Sequence, residues 1–134
     1  MKVIAIAGML LLAACSSGEN VAGARRAIVQ FHARLNSGQY KQIYNDSDAG
    51  FKQASSEADM TKLLNAVHTK LGSFEDGTQS GWRVNYNTTG NNTVIQLGSN
   101  FEKGKATEMF TFVGDAAAPR LFGYNINSQV LITG

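Results

Sequence analysis

Apolar residues recur at helical spacing in two stretches of the first half of the chain. One stretch covers residues 21–36 and the other residues 56–71. In both, apolar positions repeat every three or four residues with polar residues between them, which is typical of a helix that buries one face. The apolar positions are Ala24, Ala27, Ile28, Phe31 and Leu35 in the first stretch, and Met60, Leu63, Leu64, Val67 and Leu71 in the second. The pattern predicts two amphipathic helices.

Capping residues mark the ends of these helices. Ser56 precedes Asp59 by three residues, which is the spacing of a capping box, and Gly72 stands where a glycine commonly ends a helix. The run Asn36-Ser37-Gly38 indicates the end of the first helix. Residues 40–44 then predict a short additional helix before a turn-rich stretch.

After Gly72 the apolar spacing changes to every second residue. Four alternating stretches are separated by turn clusters at residues 88–92, 102–105 and 114–119. Such alternation predicts strands with one covered face, and short connections predict antiparallel neighbours. The residues that share a face are Trp82, Val84 and Tyr86, then Ile95, Leu97 and Phe101, then Ala106, Glu108, Phe110 and Phe112, and finally Phe122, Tyr124 and Ile126. We therefore expect an α+β fold in which N-terminal helices pack on a four-stranded antiparallel meander sheet.

The N-terminal segment has a different pattern from the rest of the chain. A positive start, Met1-Lys2, precedes an apolar run over residues 3–14, which is shorter than the roughly 20 residues of a membrane span. The run ends in Leu12-Ala13-Ala14-Cys15, which resembles the bacterial lipobox. That resemblance implies cleavage before Cys15 and acylation of its thiol. Ser16 resembles the residue that directs such lipoproteins to the outer membrane, facing the periplasm.

Composition and charge narrow the classes of function. The chain has 134 residues, one cysteine, and 12 Lys and Arg against 10 Asp and Glu. One cysteine cannot form an internal disulfide framework or a multi-cysteine metal site, and so small a net charge does not suit nucleic-acid binding. We expect a signal peptide at 1–14, a lipidated cysteine with a flexible linker at 15–20, and a single α+β domain at 21–134.

Several short segments of the chain together match a known pattern. They are Phe31, Leu35-Asn36-Ser37-Gly38-Gln39-Tyr40, Ile43-Tyr44, Phe51-Lys52, Lys70-Leu71-Gly72, Phe101–Glu108 and Gly123-Tyr124-Asn125-Ile126. They resemble small cystatin-like, nuclear-transport-factor-2-like domains of bacterial envelopes, and the resemblance covers about residues 21–132. It implies a curved sheet wrapped around helices, often with a cavity between them, and many of these families have no known function.

Glu108 is the most unusual acidic residue, because it alternates with Ala106, Phe110 and Phe112 on one strand face. If that face is covered, the carboxyl group must find a partner or take up a proton. Ketosteroid isomerases, on related folds, use such an acid as a proton-transfer base. The alternatives are a salt bridge at the sheet rim, or a core face formed instead by Met109 and Val113.

Aromatic residues of the predicted sheet could line a pocket for a hydrophobic ligand, or could simply form the sheet's half of the core. With Glu108, the candidate pocket consists of Trp82, Tyr86, Phe110, Phe112, Phe122 and Tyr124. The two histidines, His32 and His68, lie on different helices without the spacing of a metal site. We expect them to be partly buried or to lie at the rim of the core.

Three hypotheses about function follow. The first is a non-enzymatic envelope lipoprotein that binds a partner protein or another envelope component, without cofactor, metal or nucleic acid. The second is a carrier of a small hydrophobic molecule. The third is an enzyme that uses Glu108 with Tyr124 or His32, which requires these side chains to converge at one cavity.

Overall fold

The structure is a computed structural model that describes the backbone of residues 8–87 and 90–133 and the side chains of residues 17–86 and 90–133. Helices come first and strands follow, which confirms the predicted α+β class. The helices are α1 (Gly8–Asn36), α2 (Tyr40–Asn45), α3 (Ala49–Ala54), α4 (Glu57–Leu71) and α5 (Gln129–Thr133), and the strands are β1 (Phe74–Asn87), β2 (Gly90–Phe101), β3 (Gly104–Val113) and β4 (Arg120–Asn127).

The four strands form one antiparallel sheet in the order β1-β2-β3-β4, which is the predicted meander. Leu97 on β2 lies opposite Glu108 on β3, and Glu108 lies opposite Ile126 on β4. β1 begins at Phe74, earlier than the alternation at Trp82 indicates. Residues 74–81, the part before Trp82, include two glycines and mostly polar residues, so pairing with β2 defines this part rather than an apolar alternation of its own.

One face of the sheet is covered by helices, and it is the face that carries Glu108. Ala106, Phe110 and Phe112 are buried on this face, whereas Met109 on the opposite face is 38 % exposed. The alternative in which Met109 belongs to the core face is therefore wrong. The predicted apolar faces of the helices complete the core, with Ala24, Ile28, Phe31 and Leu35 from α1 and Met60, Leu64, Val67 and Leu71 from α4.

The ends of α4 match the signals in the sequence. The Ser56 hydroxyl accepts a hydrogen bond from the Asp59 backbone N–H at 3.1 Å. At the other end Gly72 has φ +77°, and its N–H donates to the His68 carbonyl at 3.0 Å. A Cβ atom on Gly72 would lie 2.7 Å from Glu102 Oε1, so both its conformation and its surroundings require glycine.

Residues 15–20 differ from the expected flexible linker, because the structure makes them part of α1. Asn20 is buried, and both it and Ser17 are within hydrogen-bond distance of the Tyr86 hydroxyl, at 3.4 and 3.1 Å. These contacts to β1 hold this part of α1 against the sheet. Residues 1–7 of the predicted signal peptide lie outside the described residues, as does the side chain of Cys15.

Two short helices were missed by the sequence pattern. α3 begins after Asp48, whose carboxylate accepts a hydrogen bond from the Gly50 N–H at 2.9 Å, and α5 follows the last strand. Each has at most six residues, too few to display a helical period. In the part of the chain that the structure describes, no helix is long and apolar enough to cross a membrane.

Candidate functional site

Three polar side chains surround the buried carboxyl group of Glu108. Glu108 is 0 % exposed. Its Oε1 accepts a hydrogen bond from the Ser99 hydroxyl at 2.5 Å and lies 2.9 Å from His32 Nε2. Its Oε2 accepts a hydrogen bond from the Tyr124 hydroxyl at 2.6 Å. Residues from α1, β2, β3 and β4 therefore meet at one carboxyl group, and we call these four residues the Glu108 cluster.

The hydrogen bonds of this cluster offset the free-energy cost of burying a carboxyl group, because each oxygen has a partner. Burial raises the pKa of Tyr124 well above its usual range, and the adjacent Glu108 carboxylate raises it further. The Tyr124 hydroxyl therefore keeps its proton and remains a donor to Glu108 at neutral pH.

His32 is buried more deeply than a rim position implies. It follows Phe31 on the face of α1 that contacts the sheet, and its exposed fraction is 4 %. The imidazole stacks flat on the Phe74 ring, with 3.5 Å between centroids and an interplanar angle of 1°. It also meets the edge of the Phe110 ring at 5.7 Å. Stacking and the contact with Glu108 together fix the plane of the imidazole.

A cavity of about 440 Å³ lies between α1 and the paired strands β1 and β2, and the His32 ring forms part of its wall. Gly77 contributes no side chain on this face, since a Cβ atom there would lie 3.0 Å from Leu97 Cγ. The apolar lining residues are Ile28, Val29, Ala33, Phe74, Ile95 and Leu97, and the polar ones besides His32 are Arg25, Asn36, Glu75 and Gln79.

The polar side chains that line the cavity differ in whether they already form hydrogen bonds within the protein. The Asn36 amide is fully used, because it donates to the Phe74 carbonyl at 3.1 Å and accepts from the Phe74 N–H at 2.8 Å. Gln79 Oε1 is buried and has no hydrogen-bond partner among the described residues. Arg25 and Glu75 are exposed, so their opposite charges are screened by water. Gln79 and His32 are therefore the polar side chains best placed to form hydrogen bonds with a ligand in the cavity.

The structure brings only part of the predicted pocket together. Glu108, Phe110 and Tyr124 are in contact, with 5.1 Å between the Phe110 and Tyr124 ring centroids. Phe112 stacks beyond Phe110 in the core, with 6.2 Å between the centroids. None of these residues lines the cavity, because they lie behind His32 or deeper in the core.

Trp82 and Tyr86 do not form the floor of this pocket, which corrects their predicted role. Trp82 is 56 % exposed and Tyr86 is 52 % exposed, and neither lines the cavity. β1 is an edge strand of the sheet, so these aromatic residues stay largely exposed, although Trp82 pairs with the buried Ile95 and the Tyr86 hydroxyl contacts α1. Phe122 is also exposed, next to Gly50 of α3, because a register shift near it changes the alternation of β4.

Sequence reasoning missed Ser99 and Gln79. Ser99 alternates with Ile95, Leu97 and Phe101 on β2, so the sequence already indicated that its hydroxyl lies on the covered face. Its contact with Glu108 depends on the strand register, which the sequence alone does not supply. Gln79 lies in the polar first half of β1, where no alternation marks it.

His68 belongs to a different place in the fold. Its Nδ1 lies 3.1 Å from the Tyr40 hydroxyl, where α4 meets α2, and it is partly buried as expected. Among the residues that the structure describes, no group of three or more His, Cys, Asp and Glu side chains is arranged to bind a metal ion.

Comparison with known proteins places the chain in a family. No curated protein matches the sequence. The model of a family described as proteins of unknown function, DUF4019, matches residues 27–124. This match spans most of the chain and includes all four residues of the Glu108 cluster. The chain therefore belongs to the DUF4019 family of proteins of unknown function.

Proposed function

We propose that this protein is a non-enzymatic binding module of the bacterial cell envelope that holds a largely apolar small molecule between α1 and the sheet. The observation that carries the proposal is the cavity of about 440 Å³, whose lining combines apolar side chains with five polar ones. Ligand sites in proteins commonly enclose about 300–1,000 Å³ and combine apolar walls with a few polar groups. Of the three hypotheses from the sequence, the cavity therefore favours the second, a carrier of a small hydrophobic molecule.

The position of Glu108 favours binding over catalysis. A catalytic acid or base must come within hydrogen-bond distance of the substrate. Glu108 is fully buried, does not line the cavity, and has its oxygens engaged by Ser99, Tyr124 and His32. A substrate would have to displace one of these partners to reach the carboxyl group. Glu108, Tyr124 and His32 do contact one another, but of the three only His32 lines the cavity.

The proposed attachment to the envelope rests on the sequence Leu12-Ala13-Ala14-Cys15. We propose that residues 1–14 are removed, that Cys15 carries the acyl chains, and that Ser16 directs the protein to the outer membrane. The helices followed by a meander sheet support the cystatin-like classification. An acyl anchor would hold the cavity near the lipid surface, where apolar ligands are concentrated.

The anchor is tested by labelling cells with a palmitate analogue. Cys15 is the only cysteine in the chain, so Cys15→Ala removes every thiol that could be acylated. We expect the variant to lose both the label and its membrane association. A variant that keeps both would show that the lipobox assignment is wrong.

The cavity is tested by NMR titration of the full chain carrying Cys15→Ser, with propylbenzene as the apolar probe. We expect saturable shifts of backbone amide signals around the cavity. Ala33→Phe places a ring beside the cavity and should abolish them. Ala58→Phe is the matched control, because Ala58 is also an exposed helical alanine but lies on α4, away from the cavity. Equal binding by the two variants, or the absence of binding in the parent chain, would contradict the proposal.

A further inference from the structure

We propose that His32 presents a protonated Nδ1 to the cavity, and that the site recognises an apolar molecule through a carbonyl or carboxylate oxygen. This proposal rests on the binding function proposed above and names the chemical group that the ligand must carry. It follows from which groups of the Glu108 cluster carry a proton. It also follows from the hydrogen bonding of His32, which uses Nε2 and leaves Nδ1 without a partner among the described residues.

The proton balance begins with the burial of Glu108. Among its described partners Ser99 and Tyr124 are hydroxyl donors, so His32 is the one that can carry a positive charge. A buried net charge is strongly disfavoured, and buried charges are therefore paired or neutralised. This disfavours a neutral imidazole that donates from Nε2 to the carboxylate, because the pair would then carry a buried net negative charge. The pair of His32 and Glu108 is accordingly neutral overall, either as imidazolium with carboxylate or as neutral imidazole with a protonated carboxyl group.

Both neutral arrangements place a hydrogen on His32 Nδ1. In the ion pair, both ring nitrogens carry hydrogen and Nε2 donates to Glu108. In the other arrangement, the Glu108 carboxyl group donates to Nε2, so the single hydrogen of the imidazole resides on Nδ1. His32 Nδ1 is thus a hydrogen-bond donor in either case.

This donor is available to a ligand. His32 makes its hydrogen bond through Nε2, and Nδ1 has no hydrogen-bond partner in the described parts of the chain. The ring lines the cavity and is held in one plane by its stacking on Phe74. A fixed donor next to an apolar wall favours a ligand that supplies an acceptor, since an unpaired buried donor is costly.

Gln79 supplies a second polar group at the same cavity. Its side chain lines the cavity, and its amide makes no hydrogen bond to any described residue. The amide can therefore turn its N–H toward a ligand oxygen without breaking an existing hydrogen bond. Arg25 and Glu75 at the cavity wall carry opposite charges, so we expect the acceptor oxygen, rather than the charge of the ligand, to determine recognition.

The test compares two probes that differ only in this oxygen. Propiophenone has a carbonyl group where propylbenzene has a methylene, and both are titrated into the full chain carrying Cys15→Ser and ¹⁵N-labelled histidine. We expect propiophenone to bind about fivefold to tenfold more tightly, as one hydrogen bond predicts, and to shift the Nδ1 resonance of His32. His32→Phe keeps an aromatic ring against Phe74 and should bind both probes equally. His68→Asn assigns the second histidine signal and should leave binding unchanged.

The possible outcomes distinguish a failure of recognition by His32 from a failure of the proposed binding function. If propylbenzene binds as tightly as propiophenone, recognition by His32 is wrong while the cavity remains a binding site. If neither probe binds, the proposed function fails, and the recognition proposal fails with it. The ¹⁵N spectrum of the unliganded parent chain is a further test that needs no variant. A His32 Nδ1 resonance typical of an unprotonated nitrogen would overturn the proposal even if His32→Phe does not fold.

Discussion

Replacing Glu108 with leucine tests how strongly the buried cluster stabilises the fold. Leucine fills the site with apolar atoms and accepts no hydrogen bond, so three neighbours lose their partner: the hydroxyls of Ser99 and Tyr124 and the His32 imidazole. A buried donor left unsatisfied costs about 1–3 kcal/mol, and breaking a buried pair by removing one partner costs about 3–5 kcal/mol. We expect Glu108→Leu to lower the free energy of unfolding by about 3–5 kcal/mol.

Glu108→Gln is the informative companion variant. Its amide oxygen can still accept from the Tyr124 hydroxyl, and its amide N–H groups can donate to His32 Nε2 and Ser99 Oγ. Because the cluster can stay hydrogen-bonded, we expect a loss of only about 1 kcal/mol. The large difference between leucine and glutamine is the signature of a hydrogen-bonded cluster rather than of side-chain volume.

The free energy of unfolding of both variants is measured by urea unfolding monitored by circular dichroism. A change in the urea midpoint reports a change in stability when the dependence of the free energy on urea concentration stays the same. Glu19→Leu and Glu19→Gln are the matched controls, because Glu19 is exposed on α1. We expect these controls to change stability by less than about 0.5 kcal/mol. If Glu108→Leu were as stable as the parent protein, or no less stable than Glu108→Gln, the reasoning about the buried cluster would be refuted.

Two further predictions follow from shifted pKa values. Burial and the adjacent Glu108 raise the pKa of folded Tyr124, so the unfolded chain loses its tyrosine proton first, and we expect stability to fall as the pH rises above about 10. Tyr124→Phe should weaken that decline in urea midpoints measured from pH 8 to 11; an unchanged decline would contradict the assignment. The Gly50 N–H, followed by the Arg120 side chain, lowers the pKa of Asp48, so its stabilising effect should disappear as the pH falls below about 4. Asp48→Ala should cost about 1 kcal/mol at pH 7 and much less at pH 3, and an equal loss at both would argue against this role.

Elements with a long, regular period were predictable from the sequence. α4 has a capping serine, a terminal glycine and an apolar face of four buried residues, and each of these was visible in the sequence. The meander followed from alternation between short turn clusters. The first half of β1 was missed because pairing with β2, rather than its own alternation, defines it. Residues 15–20 were expected to form a flexible linker because most of them are polar, but they continue α1, and Ser17 and Asn20 contact Tyr86.

The candidate site was predictable only in part. Alternation placed Glu108 on the same face as three apolar residues, and this alone indicated an unusual acid. His32 was named as a possible partner of Glu108, but alternation could not place it there, because it is 76 positions earlier in the chain and reaches Glu108 only through the packing of α1 on the sheet. Alternation also cannot tell how far the helices cover a sheet face. Trp82 and Tyr86 therefore satisfied the pattern of a pocket although both are largely exposed on the edge strand β1.

Mass spectrometry of the small molecules extracted from the purified protein tests the binding function most directly. The parent chain, Ala33→Phe and Ala58→Phe would be isolated from bacterial membranes under identical conditions. We expect an apolar compound with a carbonyl or carboxylate group to accompany the parent chain and Ala58→Phe in stoichiometric amounts, and to be absent from Ala33→Phe. No such compound with any of the three proteins, or the same amount with all of them, would contradict a ligand-binding cavity between α1 and the sheet.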